Sequence, residues 1–95
     1  MDRAKFEAEL QCEGYQVTEG EIQPNEHRPG HQHPFDVRLL VLDGSITITF
    51  GSDRGAYGPG DTCYVPAGTE HEEQIGADGV RYVIGRRAVS GAGAL

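Results

Sequence analysis

Three of the four histidines in this chain, His31, His33 and His71, are spaced so that they can meet at one metal ion. His31 and His33 are two residues apart, and residues at that spacing in a β-strand point to the same side. His71 follows the turn-forming segment 66–69 and begins another predicted strand. Neutral imidazole is the commonest side-chain ligand for transition metals, and three of them leave coordination positions open. The pattern therefore predicts a site for a divalent ion such as Fe, Zn, Mn or Ni.

Composition limits the classes of protein to consider. A chain of 95 residues forms one domain, and its 14 glycines and 5 prolines favour short strands joined by tight turns. The net charge of -7 repels phosphate backbones, so we expect no nucleic-acid partner. The longest apolar run, residues 39–42, is too short for a bilayer, and the first ten residues lack the features of a signal peptide. We expect a cytoplasmic protein that binds no membrane, with Cys12 and Cys63 as free thiols.

Turn signals recur about every ten residues between Asp43 and Gly79, as in small all-β barrels and sandwiches. The predicted fold is an all-β, small antiparallel β-barrel with a short N-terminal helix. Asp43-Gly44 predicts a hairpin turn, residues 23–30 a loop, and residues 76–79 a turn between the last two strands. The predicted strands cover residues 15–22, 37–42, 45–50, 62–65, 70–75 and 80–86.

The helix is expected within residues 1–14. Asp2 can cap it, Phe6 and Leu10 are one turn apart, and Gly14 can end it. The apolar run at 39–42 needs cover on both faces, either from this helix or from a second subunit. The single domain is expected to span residues 1–87, and residues 88–95 are expected to form a flexible tail.

Two motifs resemble those of the cupin superfamily. The second motif is a glycine, five residues, Pro-x-Gly, two residues and a histidine, and it matches here from Gly60 to His71. The first motif begins with His-x-His, which matches His31 and His33, and ends with a glycine, which matches Gly44. The resemblance implies a small antiparallel jelly-roll barrel, often dimeric, with the three histidines as metal ligands.

The first motif departs from the family at its acidic ligand. The family's glutamate corresponds to Val37, and the neighbouring Asp36 points to the opposite face of a regular strand. Asp36 reaches the ion only if Pro34 makes the strand irregular; otherwise it pairs with Arg38 on the outer surface. The expected ligands are therefore three histidines, with Asp36 as a possible fourth. Such a set resembles the iron sites of cupin thiol dioxygenases, and also cupins with degraded sites.

Three further side chains are predicted to line the pocket: Val37, Cys63 and Glu73. Glu73 has the parity of His71, although it also belongs to an acidic run that is typical of a solvated face. The arginines near the end of the last strand can bind a carboxylate, although such residues are usually solvated.

Two functions remain open. The first is a metal-binding cupin with a small organic ligand, acting as a dioxygenase or an isomerase. The second is a non-catalytic cupin that binds a small molecule or serves as a dimeric structural protein, with a degraded or empty metal site. In both cases we expect a homodimer and a small-molecule ligand.

Overall fold

The computed structural model describes residues 1–89. Helix α1 (Arg3–Cys12) begins where the sequence predicts it, because the Asp2 side chain accepts a hydrogen bond from the Ala4 amide at 3.3 Å. Of the predicted tail 88–95, Ala88 belongs to the last strand, and residues 90–95 lie outside the described part. The strands are β1 (Gln16–Ile22), β2 (His27–His31), β3 (Phe35–Phe50), β4 (Asp53–Tyr57), β5 (Thr62–Val65) and β6 (His71–Ala88).

The long strands β3 and β6 pair as an antiparallel ribbon, and each of the other strands adds to one of its edges. One half of the ribbon carries β1 beside β6 and β5 beside β3. The other half carries β2 beside β6 and β4 beside β3. The two halves pack on a shared apolar interior as a jelly roll, which confirms the predicted fold class. Within residues 1–89 the strand pairing does not close into a continuous ring.

Two predicted turns are wrong, because the chain does not reverse direction at Asp43-Gly44 or at residues 76–79. Both halves of β6 pair with β3 in the same direction, with shifts of register between Val41 and Asp43 and between Gly44 and Ile46. These shifts are β-bulges, which use glycine at positive φ as hairpin turns do. Strands β3 and β6 are therefore each one long strand where two were predicted.

Gly44 is required where the ribbon bends. Its φ is 78°, and a Cβ atom there would overlap the carbonyl oxygen of Gly79. That neighbour is backbone and cannot rotate away, so only glycine allows β3 and β6 to approach this closely.

Strand β2 was predicted as part of a loop because its sequence contains Pro29 and Gly30. It is a strand whose register with β6 shifts between Arg28 and His31, and Pro29 has no amide hydrogen to donate to a partner. Strand β4 was likewise missed, since Gly51 to Gly55 reads as a turn.

The ribbon buries its apolar side chains on two faces. The inner cluster lies between the two halves and contains Leu39 and Val41, with Ile46 and Ile48 from the second half. The outer cluster lies under α1, where Phe6 and Leu10 are fully buried against Leu40 and Val83. The sequence did not decide whether the N-terminal segment or a second subunit covers this apolar face. In the structure the helix covers it. No helix in the described part is long and apolar enough to span a bilayer.

Candidate metal centre

The candidate metal centre is built from the paired ends of β2 and β6. His31 is the last residue of β2 and lies directly across from His71, the first residue of β6. Glu73 comes two residues after His71 and shares its face. His33 lies just beyond β2, so the two histidines do not share one strand. The ring of His33 stacks on that of Phe35 with centroids 5.0 Å apart.

The side chains of His31, His33, His71 and Glu73 converge. One ligand atom from each lies within 4.8 Å of those of the other three. His71 is buried, and the Glu73 side chain is only 13% exposed. The structure thus brings the three predicted histidines together and adds Glu73, a carboxylate that the sequence analysis placed only in the pocket wall. The sequence signal for Glu73 as a ligand was its shared strand parity with His71. The acidic residues around it favoured a solvent-exposed face instead, so it was not predicted as a ligand.

Hydrogen bonds fix the orientation of two of the imidazoles. The Nδ1 atom of His31 donates to the Pro29 carbonyl oxygen at 2.8 Å, and the Nδ1 atom of His71 donates to the Thr69 carbonyl oxygen at 2.9 Å. A carbonyl oxygen can only accept, so in each neutral ring the hydrogen is on Nδ1 and the lone pair is on Nε2. Such backbone bonds to the second ring nitrogen also orient the histidine ligands of known metal sites.

Both free lone pairs face the same carboxylate oxygen. The Oε2 atom of Glu73 lies 3.1 Å from Nε2 of His71 and 3.5 Å from Nε2 of His31. A carboxylate oxygen and an unprotonated imidazole nitrogen are both acceptors, so their close approach is unfavourable unless a cation lies between them. A proton on one ring or a metal ion bound to all of them satisfies this arrangement.

The donor set fits a divalent transition-metal ion. Three imidazole nitrogens and one carboxylate oxygen suit Zn and the six-coordinate ions of Fe, Mn and Ni. Ligands at about 2.1 Å on opposite sides of an ion are about 4.2 Å apart, so the observed spacing needs only a small side-chain adjustment. A six-coordinate ion held by these four ligands keeps two positions for water or a substrate.

Asp36, the possible fourth ligand, lies outside this cluster. Its carboxylate accepts a hydrogen bond from the Ala67 amide at 2.9 Å and pairs with Arg87 at 3.1 Å. These contacts lower the pKa of Asp36, the amide more than the guanidinium. The histidines are not on the strand of Asp36, so the parity argument does not apply, although Asp36 does lie outside the cluster. Its partner is Arg87 rather than Arg38, which pairs with Glu13.

A cavity of about 120 Å³ lies inside the jelly roll beside the centre. For comparison, an engineered apolar cavity of about 150 Å³ admits benzene, so this smaller one suits a ligand body of about five non-hydrogen atoms. The predicted pocket-lining residues Val37, Cys63 and Glu73 are among its walls. The complete lining is Ile22, Arg28, His33, Phe35, Val37, Leu39, Ile46, Ile48, Cys63, Val65, His71, Glu73, Tyr82, Ile84 and Arg86.

The cavity is a poor environment for added charge. Burial raises the pKa of the Cys63 thiol to about 12, and the nearby carboxylate of Glu73 acts in the same direction. Burial also lowers the pKa of His33, as do the neighbouring imidazoles of His31 and His71. Cys63 therefore remains a neutral thiol in the wall, and His33 favours the neutral form that binds metals.

The fold and the site together define a small jelly-roll domain with a histidine cluster beside its interior cavity. Residues 18–83 match the family model described as Cupin domain. The match covers most of the chain, so this chain belongs to the cupin family, as the two motifs predicted. No curated protein matches it.

Three solved structures of bacterial proteins illustrate the similarity in fold. A protein of unknown function from Rhizobium leguminosarum has a TM-score of 0.74 at 17% identity, over 79% of this chain and 71% of that one. A cupin-2 domain protein from Shewanella frigidimarina has a TM-score of 0.65 at 20% identity, over 77% and 70%. The polyketide cyclase RemF from Streptomyces resistomycificus has a TM-score of 0.66 at 25% identity, over 83% and 60%. The chain is similar to all three in fold.

Proposed function

We propose that this cupin binds one divalent transition-metal ion through His31, His33, His71 and Glu73 and exposes it to a small organic ligand in the adjoining cavity. The supporting observation is the convergence of two Nε2 lone pairs on one carboxylate oxygen, an arrangement that a metal ion bound to all three atoms satisfies. The cavity supports the second half of the proposal, because His33, His71 and Glu73 form part of its wall.

The chemistry proposed for this site is that of a metal-dependent isomerase or dioxygenase. When bound, such an ion polarises a carbonyl or enolate oxygen, and iron also supports oxidation by O₂. The chain itself contributes the ligands, a wall that excludes bulk water and a fixed orientation of the ligand. Exclusion of water strengthens every charge interaction inside the cavity.

Metal analysis of untagged protein, purified without chelators and then supplied with Fe(II), Zn(II), Mn(II) or Ni(II), tests this proposal. We expect about one equivalent per chain in the wild type, and less than about a tenth in His33→Ala. His27→Ala is the matched control, since His27 is on β2 but is exposed and lies outside the cluster. Equal ion content in both variants and the wild type, or no binding in any of them, would contradict the proposal.

The alternative is a cupin that binds a small molecule without catalysis. It is favoured by Val37, which occupies the position of the family's acidic ligand and forms part of the apolar wall. The two functions differ in their dependence on the ion. A binding module has the same thermal midpoint with and without metal, whereas an ion bound only by the native state raises that midpoint.

A further inference from the structure

We propose that the ligand of this cavity is a small carboxylate, whose anionic group is bound by Arg86 at the entrance. The inference rests on the proposed function for the opposite end of the ligand, which faces the metal centre.

Arg86 lies where the cavity meets the surface. Tyr82, Ile84 and Arg86 alternate along β6 and share its inner face, and all three line the cavity. Arg86 and Phe35 also line a groove on the outside of the jelly roll. A ligand that enters from this groove therefore passes the guanidinium of Arg86 and the ring of Phe35.

The charge of Arg86 is not neutralised by a carboxylate of residues 1–89. Its guanidinium donates to the uncharged Thr18 hydroxyl at 3.1 Å and lies 6.0 Å from the centre of the Phe35 ring. The other arginine in the cavity wall, Arg28, pairs with Glu26 at 2.8 Å. Arg86 is thus the wall residue with a positive charge free for a ligand, and a guanidinium binds a carboxylate with two parallel hydrogen bonds.

Phe35 connects this charge to the metal centre. The guanidinium of Arg86 lies over one ring, that of Phe35, and the ring of His33 is stacked on the same Phe35 ring. A ligand that lies along Phe35 can place its carboxylate at Arg86 and its apolar body toward the histidines. The cavity volume of about 120 Å³ limits that body to a few carbon atoms. Of the residues that line the cavity, only Glu73 is a carboxylate, and it belongs to the histidine cluster, where the proposed ion balances its charge.

Titration with isobutyrate, and with isobutyramide as its neutral analogue of the same shape, tests the inference. Binding is followed by NMR of the backbone amides, in zinc-loaded protein and in protein stripped of metal. Isobutyrate is expected to bind more tightly than isobutyramide, and Arg86→Gln is expected to weaken isobutyrate about tenfold or more in both forms. Arg86→Lys keeps the charge without the two-pronged geometry and should retain part of the affinity. Arg54→Gln is the control, because Arg54 is exposed on β4 and does not line the cavity.

The outcomes separate this inference from the metal proposal. Arg86-dependent binding of isobutyrate in a protein that takes up no zinc would support the carboxylate site and reject the metal centre. Normal zinc uptake combined with equal affinities for isobutyrate and isobutyramide, or with isobutyrate affinity unchanged in Arg86→Gln, would reject the carboxylate site alone. Isobutyrate binding that never saturates would also reject it. Zinc content of Arg86→Gln equal to that of the wild type shows that the variant is folded.

Discussion

Replacement of Glu73 by glutamine tests the contribution of the carboxylate that the sequence did not assign to the centre. The change removes one negative charge and keeps the size of the side chain. Glu72→Gln is a matched control, because it removes the same charge one residue away. Its side chain is 52% exposed and pairs with His27 on the outside, whereas that of Glu73 is 13% exposed between two imidazoles.

The expected effect can be calculated as a change in thermal stability. Loss of an outer-shell partner alone weakens metal binding about 10–100-fold, so we take about 100-fold as a minimum for a direct ligand. At an ion concentration of about 1,000 times the wild-type Kd, the ion stabilises the wild type by about 4.1 kcal/mol and Glu73→Gln by about 1.4 kcal/mol. The difference of about 2.7 kcal/mol corresponds to a loss of about 10–20 °C from the metal-induced rise in Tm for a domain of this size.

The assay is thermal unfolding of each variant with and without Zn(II), so that any effect on the metal-free fold cancels. Glu72→Gln should change the metal-induced rise by only a few degrees, since an exposed charge is screened by salt over about 8 Å. An undiminished rise in Glu73→Gln would refute the assignment of Glu73 as a ligand. Equal losses in both variants would show a general effect of charge and would refute it as well.

Three further predictions concern the scaffold. Gly44→Ala should lower the free energy of unfolding by about 3 kcal/mol or more, because the added Cβ meets backbone atoms. Gly51→Ala should lower it by only about 1–2 kcal/mol, because Gly51 has a φ of 57° but open space around it. Denaturant titrations measure both changes. A thiol reagent near neutral pH should modify the exposed Cys12 and spare the buried Cys63, and release of two thiols from native protein would contradict this. The folded state lowers the pKa of Asp36, so its stabilisation is present above the unfolded pKa and is lost as pH falls through the folded one. Asp36→Asn should therefore reduce the loss of unfolding free energy at acid pH. If unfolding free energy falls with pH in the variant as steeply as in the wild type, the contacts of that carboxylate do not contribute as described.

The local elements that the sequence predicts well depend on few residues. Helix α1 has its cap at Asp2 and buries Phe6 and Leu10, and β5 has the predicted bounds. The histidine spacing was sufficient to predict a shared site, because strand parity and the short turn before His71 leave little freedom. The homodimer, the small-molecule ligand and the cytoplasmic location stay predictions.

The parts that sequence reasoning missed depend on pairing between distant segments. A glycine at positive φ, such as Gly44, serves a hairpin and a bulge alike, and only the partner strand decides between them. Glu73 was ambiguous for the same reason, since an acidic run on a strand has one face toward solvent and one toward the interior. The pairing of β2 with β6 determines that Glu73, rather than Glu72, faces the interior of the jelly roll.

The four candidate ligands lie at the start of β6 and at or just past the end of β2, while β3 and β5 contribute apolar wall positions such as Val37 and Val65. In the family motif the acidic ligand falls at residue 37 and would join the ion to β3. Here the proposed ligands leave out β3 and β5, which contribute only to the wall of the cavity. An engineer could redesign the cavity through β3 and β5 to accept new compounds while the proposed metal ligands stay unchanged, and mutation could diversify this scaffold by the same route.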